Sequence, residues 1–281
     1  MSIFAYDMGV PSIEAFFEKR LAQGRAYFTR EEAQAAFDLS PHALSVALTR
    51  QVRKKRLARP WRGFYLILRP EDRAFGAPDP VRWIDPLMQY LQLDYRIALL
   101  RAAAFHGASH QAAMVFQVIV PRQMRGFEIG RQRLEFVYQN PQAFVQVNQT
   151  GWLGSLKSEA GFAKVAGLEL TLLDCARYFH KAAGIGGLAQ IAKDLGGQAK
   201  PSDLAQIAVH YENSAVRRLG YLLERAGHVA QADALRPFVR QAKTAALLDP
   251  SVKPLVEGLP GLHEKAPGWR LILNESVEVD F

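Results

Sequence analysis

LTRQVRKKRLARPWRGFYLIL, residues 48–68, sets two unlike runs side by side. Between Arg50 and Arg62 stand seven cations, Arg50, Arg53, Lys54, Lys55, Arg56, Arg59 and Arg62, with no acid among them. Gly63 then opens an uncharged run, Phe64, Tyr65, Leu66, Ile67 and Leu68. A disordered basic tail would not carry that apolar run. A purely structural helix has no need of that much like charge.

The residues upstream supply the setting. Thr29 and Glu32 have the spacing of a capping box and open a short helix over Arg30–Phe37. Asp38 and Leu39 make a tight connection, Ser40 caps, and Pro41 suits the first helical position, so a second helix starts at Pro41. At about 100° per residue, Leu44, Ala47, Leu48 and Val52 share one stripe, and Gln51 falls on the same side. His42, Val46, Thr49, Arg50 and Arg53 lie opposite, with Ser45 at the edge. A helix that enters the DNA major groove needs such a face: short groups near its start, hydrogen-bonding and cationic groups along it, and no acids. Leu57–Pro60 and Phe64–Ile67 read as two strands around Trp61-Arg62-Gly63. Gly63 is free to take φ > 0 in the turn, and Pro60 fits an edge strand.

Helix, helix, helix and basic hairpin is the order of a winged helix-turn-helix. On that reading Ser40, His42, Ser45, Thr49, Arg50 and Arg53 face the groove. Lys54, Arg59 and Arg62 meet phosphates or the minor groove, and the apolar strand pins the wing to the core. Cations at a helix C-terminus also complement the helix dipole, so the charge has a structural use as well.

The chain has 281 residues, enough for one large domain or two ordinary ones. Its 49% hydrophobic content argues against disorder. A net charge of +8 is compatible with nucleic acid or an anionic surface. Cys175 is the single cysteine, which excludes a disulfide framework and a Cys-rich zinc site. MSIFAYDMGV has neither the cationic start nor the apolar core of a secretory signal. The apolar run 112–121 is too short to cross a bilayer. The expected setting is the cytoplasm, with no membrane partner. RPEDRAFGAPDP, residues 69–80, has the composition of a linker. The expected units are residues 1–75 and 81–281.

In the second unit, Val81–Gln92 and Tyr95–Gly107 look helical, and Val115–Val120 and Arg133–Tyr138 look like strands. Helices are expected over Leu168–His180, Gly187–Leu195, Ser202–Tyr211 and Ser214–Ala226, and late strands over Trp269–Leu273 and Ser276–Asp280. The fold class is therefore α+β, a winged helix-turn-helix followed by a larger mixed, mostly helical domain.

Candidate chemistry is sparse. His106 and His110 stand four apart, but Gly107 and Ser109 interrupt the pattern and no third ligand is near in sequence, so no metal is expected. Gly184-Ile185-Gly186-Gly187 follows a helix and lacks the Lys-Ser/Thr ending of a phosphate loop; a helix–helix turn is the better reading. Cys175 reads as a small core residue. Asp174 caps or pairs locally, or serves a site in the second unit. Without paired carboxylates, no catalytic residue, no cofactor and no enzymatic activity are expected. Arg122, Arg125, Arg131 and Arg133 fall within twelve positions. They read as a solvated hairpin or as a second basic surface for DNA phosphates, RNA or an acidic partner.

SPHALSVALTRQVRKKRLARPWRGFYLI resembles the winged-helix start of AbiEi-type antitoxins, the regulator half of type IV AbiE abortive-infection toxin–antitoxin systems. Three later segments are similar to that family too. They are WIDPLMQYLQLDYRIALLRAAAFHGASHQ, the basic hairpin FQVIVPRQMRGFEIGRQRLEFVY, and ELTLLDCARY with its Gly-rich turn. Together the similarity runs to about Ala226. Two positions depart: Lys55 stands where the family has a helix-ending Gly, and Gln51 where Leu is typical. The resemblance implies binding of operator inverted repeats in double-stranded DNA, repression of the toxin–antitoxin operon, and antagonism of a nucleotidyltransferase-like toxin without a need for direct contact. The alternative is an antitoxin or regulator that binds its toxin, or another protein, directly.

Overall fold

The computed structural model describes residues 12–108, 115–158, 161–252 and 264–277. The first ten residues, the 112–114 part of the apolar run, His110 and the 278–280 end of the last expected strand lie outside them.

Ser12 caps helix α1 (Ile13–Ala22), accepting from the Ala15 amide at 3.1 Å. Strand β1 (Tyr27–Thr29) runs straight into α2 (Arg30–Ala36). The junction is the expected capping box. Thr29 Oγ1 accepts from the Glu32 amide at 3.2 Å, and the Thr29 amide donates to Glu32 Oε2 at 2.7 Å. Two amides that a helix start leaves orphaned are thereby satisfied. Helix α3 (Pro41–Arg53) begins where Ser40-Pro41 places it, with Ser40 Oγ accepting from the Ala43 amide at 3.2 Å. Strands β2 (Leu57–Trp61) and β3 (Phe64–Ile67) form the hairpin, and β3 lies between β1 and β2 in an antiparallel sheet.

The continuous apolar run of β3 has a physical cause. Side chains alternate between the two faces of a strand. Tyr65 and Ile67 join the core made by α1, α2 and α3, with Phe16, Phe17, Phe28, Phe37, Leu44 and Leu48. Phe64, Leu66 and Leu68 join the larger core of the rest of the chain. A strand with one wet face would read apolar, polar, apolar; this one is covered on both sides. It serves as a wall between two cores, where a single core was expected.

Residues 69–80 are folded and packed. Helix α4 (Pro70–Arg73) buries Asp72, which accepts from Arg82 at 3.1 Å. A Cβ on Gly76 would come 2.6 Å from the Gly130 Cα, so only glycine permits this approach. The Arg131 amide closes the contact by donating to the Phe75 carbonyl at 2.8 Å.

Beyond this come α5 (Ile84–Tyr90), β4 (Arg96–Ile97), α6 (Leu99–Phe105), β5 (Val115–Val120), β6 (Phe127–Ile129), β7 (Gln132–Tyr138) and α7 (Pro141–Val147). A second hairpin follows, β8 (Leu153–Ser158) and β9 (Gly161–Ala166). The six strands form a mixed sheet in the order β6-β7-β5-β4-β9-β8. Helices α8 (Leu168–Arg177), α9 (Gly184–Leu195), α10 (Pro201–Ala208), α11 (Asn213–Arg225) and α12 (Val229–Gln241) follow. Of these, α8 packs against α6, α9, α10 and α11. The late strands β10 (Ala246–Leu247), β11 (Glu264–Ala266) and β12 (Leu271–Leu273) form a small sheet.

Four expectations change. Tyr95–Gly107 is not one helix: Arg96 and Ile97 pair with β5 on one side, Ile97 with β9 on the other, and Leu99 takes φ 55 at the joint. Strand pairing overrides the local helical pattern there. The segment 116–138 is not a simple hairpin either, because β5 and β7 run parallel and only β6 and β7 are antiparallel neighbours. Gly184, Gly186 and Gly187 lie inside the first turn of α9 rather than ahead of it. Trp269 sits in a 3₁₀ turn before β12, and Ser276 and Val277 carry no strand.

Candidate nucleic-acid interface

Helix α3 presents the two faces expected of it. Leu44 and Leu48 are buried, while His42, Val46, Thr49, Arg50 and Arg53 are exposed and Ser45 is half-buried. Ser40 is exposed at the cap. Lys54, Arg59 and Arg62 continue the exposed basic line past the end of the helix. Gln51 is buried, and its Oε1 has no hydrogen-bond partner among the described residues. Val46 puts an apolar side chain, 48% exposed, in the middle of the outer face.

The helix ends on Lys55. The Arg56 amide donates to Gln51 O and the Lys55 amide to Val52 O, both at 3.0 Å, and Lys55 has φ 53. This is a Schellman ending with lysine in the left-handed position that glycine usually takes. It turns the chain sharply, and β2 starts two residues later. Of the seven cations, Arg56 is ion-paired to Glu14 at 2.7 Å. No ion pair among the described residues engages Arg50, Arg53, Lys54, Lys55, Arg59 or Arg62, so their charge faces solvent.

The hairpin turn is Arg62-Gly63, with Gly63 at φ 81. Tyr90 of α5 donates its hydroxyl to the Arg62 carbonyl at 3.2 Å, and its ring lies 5.6 Å from Phe64. Burial raises the Tyr90 pKa, with Glu31 and Tyr65 adding to it and Arg62 opposing, so the phenol stays a donor. Trp61 meets Phe127 of β6 edge-on at 6.1 Å. The hairpin is therefore anchored by aromatic contacts from the second core. Pro60 lies in β2, an edge strand, where the register shifts between Ala58 and Trp61. Its missing amide costs no ladder bond at such a bulge.

Sequence reasoning passed over a groove of about 490 Å³ at the C-terminal end of α3. Lys55, Arg59, Arg73, Arg131 and Glu128 are among the residues that line it. Lys55 was visible in the cation run, whereas Arg73 enters only through the fold of residues 69–80. The four arginines read as one hairpin are divided. Arg122 and Arg125 lie exposed on the connection from β5 to β6, and Arg131 and Arg133 belong to the β6–β7 hairpin.

Asp174 pairs deep in the second core. Its carboxylate accepts from Arg96 Nε at 2.9 Å, Arg96 Nη2 at 2.7 Å and the Tyr211 hydroxyl at 2.6 Å. Arg96 also donates to Gln139 Oε1 at 2.7 Å, and both charged side chains are 0% exposed. Burial alone would lower the Arg96 pKa, but the Asp174 carboxylate more than offsets it and the net direction is up. Cys175 is fully buried, and burial pushes its thiol well above the ordinary range, away from a reactive thiolate. His106 is hydrogen-bonded through Nε2 to the Ala166 carbonyl at 2.8 Å. Among the described residues, no three His, Cys, Asp or Glu side chains gather as a metal site. No described helix is long and apolar enough to cross a membrane.

These features define an α+β protein with an exposed, acid-poor cationic face on α3 and the hairpin that follows it, and a mixed sheet flanked by helices. Residues 96–225 match the model of the family described as the AbiEi antitoxin C-terminal domain. The resemblance read from the sequence is borne out over that segment: residues 96–225 carry an AbiEi-type antitoxin domain, which supports an antitoxin role. Among solved structures, the RV2827C protein from Mycobacterium tuberculosis superposes with a TM-score of 0.62 at 16% identity. The match covers 92% of this chain and 89% of that one. At that identity the likeness speaks for the fold alone. No curated protein matches the chain at a significant level.

Proposed function

We propose that residues 1–75 form a winged helix-turn-helix DNA-binding unit and residues 81–281 the antitoxin domain of an autoregulating repressor. The observation that carries this is the outer face of α3: exposed His42, Thr49, Arg50 and Arg53, continued by Lys54, Arg59 and Arg62, with no carboxylate on it. A capped helix of that composition, flanked by a basic hairpin, suits the major groove. Thr49, Arg50 and their neighbours would read bases, and Lys54, Arg59 and Arg62 would hold phosphates. The DNA is the operator of the protein's own toxin–antitoxin operon, read as inverted repeats. The toxin it counters is nucleotidyltransferase-like, and the antagonism is of the type IV kind. The cellular site is the cytoplasm, and no catalytic step or cofactor enters the mechanism.

The test is binding of the purified chain to DNA from just upstream of its own gene, against scrambled DNA, at two salt concentrations. Preference for the upstream DNA that persists at the higher salt supports the repressor. Equal binding that collapses with salt reduces the cations to non-specific attraction. No binding at either salt, with a stable complex of antitoxin and toxin, favours direct protein interaction instead.

A further inference from the structure

A smaller cleft of about 160 Å³ lies between residues 79–80, α6, β5 and the start of β7, and shares Arg131 with the groove beside α3. Its lining includes Asp79, Arg101, Phe116, Arg131, Gln132 and Arg133. Three arginines and one aspartate are among its lining residues, and Glu128 stands opposite Arg133 in the β6–β7 ladder. Arg101, on α6, is held in place from several directions. Its guanidinium lies 4.9 Å from the Phe105 ring centroid and 5.3 Å from that of Phe116. One end donates to both Asp79 oxygens, at 3.0 and 3.3 Å. Arg131 is fixed through its backbone bond to Phe75, and its guanidinium lies 5.8 Å from the Phe75 ring. Arg133 rises from β7.

Two polar atoms at this cleft are incomplete. Arg101 Nε and Gln132 Oε1 are buried and have no hydrogen-bond partner among the described residues. Buried polar groups are ordinarily paired. An anion with several oxygens would complement a lining that holds three arginines and one aspartate. It would also use the planar forks of the arginines, which match phosphate geometry.

We infer that Arg101, Arg131 and Arg133 form a binding site for a phosphate group. The cleft admits one such group and leaves the remainder of its carrier outside. The phosphate comes from a phosphorylated small molecule or from a nucleic-acid backbone. The site does not depend on the reading of α3.

The test uses the full chain and three proteins: wild type, the Arg131→Gln/Arg133→Gln double variant, and Arg50→Ala as a control on α3. Arg101 is left alone because it packs between aromatic rings. Thermal melts confirm that each variant is folded, and the single Arg133→Gln replaces the double variant if that one is not. Calorimetric titration with inorganic pyrophosphate reads the free-anion source. Binding to a random-sequence DNA duplex across a salt series reads the backbone source. Pyrophosphate binding that falls at least tenfold in the double variant and is unchanged in Arg50→Ala supports a small-molecule site. A salt slope reduced by about 1–2 in the double variant, with no pyrophosphate binding, supports a backbone site. If the double variant matches wild type in both measurements, the site does not exist.

Discussion

Asp174→Asn offers the sharpest test of what holds the second unit together. The substitution keeps the shape of the side chain and removes its charge. Arg96 then remains fully buried with its carboxylate partner gone, and an amide N–H₂ faces a guanidinium that can only donate. Removing one partner of a buried pair costs about 3–5 kcal/mol, because the remaining charge is left uncompensated. That is a large share of the roughly 5–15 kcal/mol that stabilises a typical domain. The Tyr211 hydroxyl supplies a second, smaller test: Tyr211→Phe removes one hydrogen bond to a charge and should cost about 1.5–3 kcal/mol. Urea unfolding followed by circular dichroism reads both as a fall in midpoint at unchanged slope. Replacing both charges, as Arg96→Met with Asp174→Leu, should recover about 2 kcal/mol or more relative to the single change. A cost below about 1 kcal/mol for Asp174→Asn, or plain additivity in the double variant, would refute a desolvated tie linking β4, α8 and the turn that follows α10.

Three further outcomes are expected. Lys55→Gly should stabilise the chain by about 1 kcal/mol, because it relieves a left-handed lysine, and Gln51→Leu should stabilise it similarly by removing an orphaned buried oxygen; a melting point that fails to rise in either removes that cause. Arg50→Ala should lose sequence preference worth about 1–3 kcal/mol, while Lys54→Ala weakens all duplexes alike; intact preference in Arg50→Ala would mean that α3 is oriented otherwise. Acid should weaken the fold through Glu135. Burial pushes its carboxyl up, but hydrogen bonds from Lys181 and Gln117 more than offset that and hold the pKa below the ordinary range. The unfolded chain then binds more protons, so this contribution is complete above about pH 4.3 and is lost as pH falls through the folded pKa. Glu135→Gln should remove that part of the acid sensitivity, as read by melting between neutral and acidic pH.

Much of the first unit was legible because its signals are local. The Thr29–Glu32 box, the Ser40-Pro41 start and Gly63 each act within a few residues, and each lies where it was read. The second unit was less legible. Arg96-Ile97 looks like part of a helix until β5 and β9 are present to pair with it. The parallel pairing of β5 with β7, across an intervening strand, has no local signature. The roles of Asp174, Arg101 and Arg73 depend on partners distant in sequence.

The sequence by itself determined the helix starts, the amphipathic face of α3, the run of cations and the resemblance to AbiEi-type antitoxins. Caps, turns and helical periodicity are written over spans of three to thirteen residues, where backbone geometry and side-chain type suffice. Only the tertiary structure decided that β3 is a wall between two cores, that residues 69–80 are packed, and that the basic groups border two separate clefts. Those outcomes rest on which surfaces exclude water from one another. That is settled by contacts such as Tyr90 on Arg62, Gly76 on Gly130 and Arg96 on Asp174, all made between residues far apart along the chain.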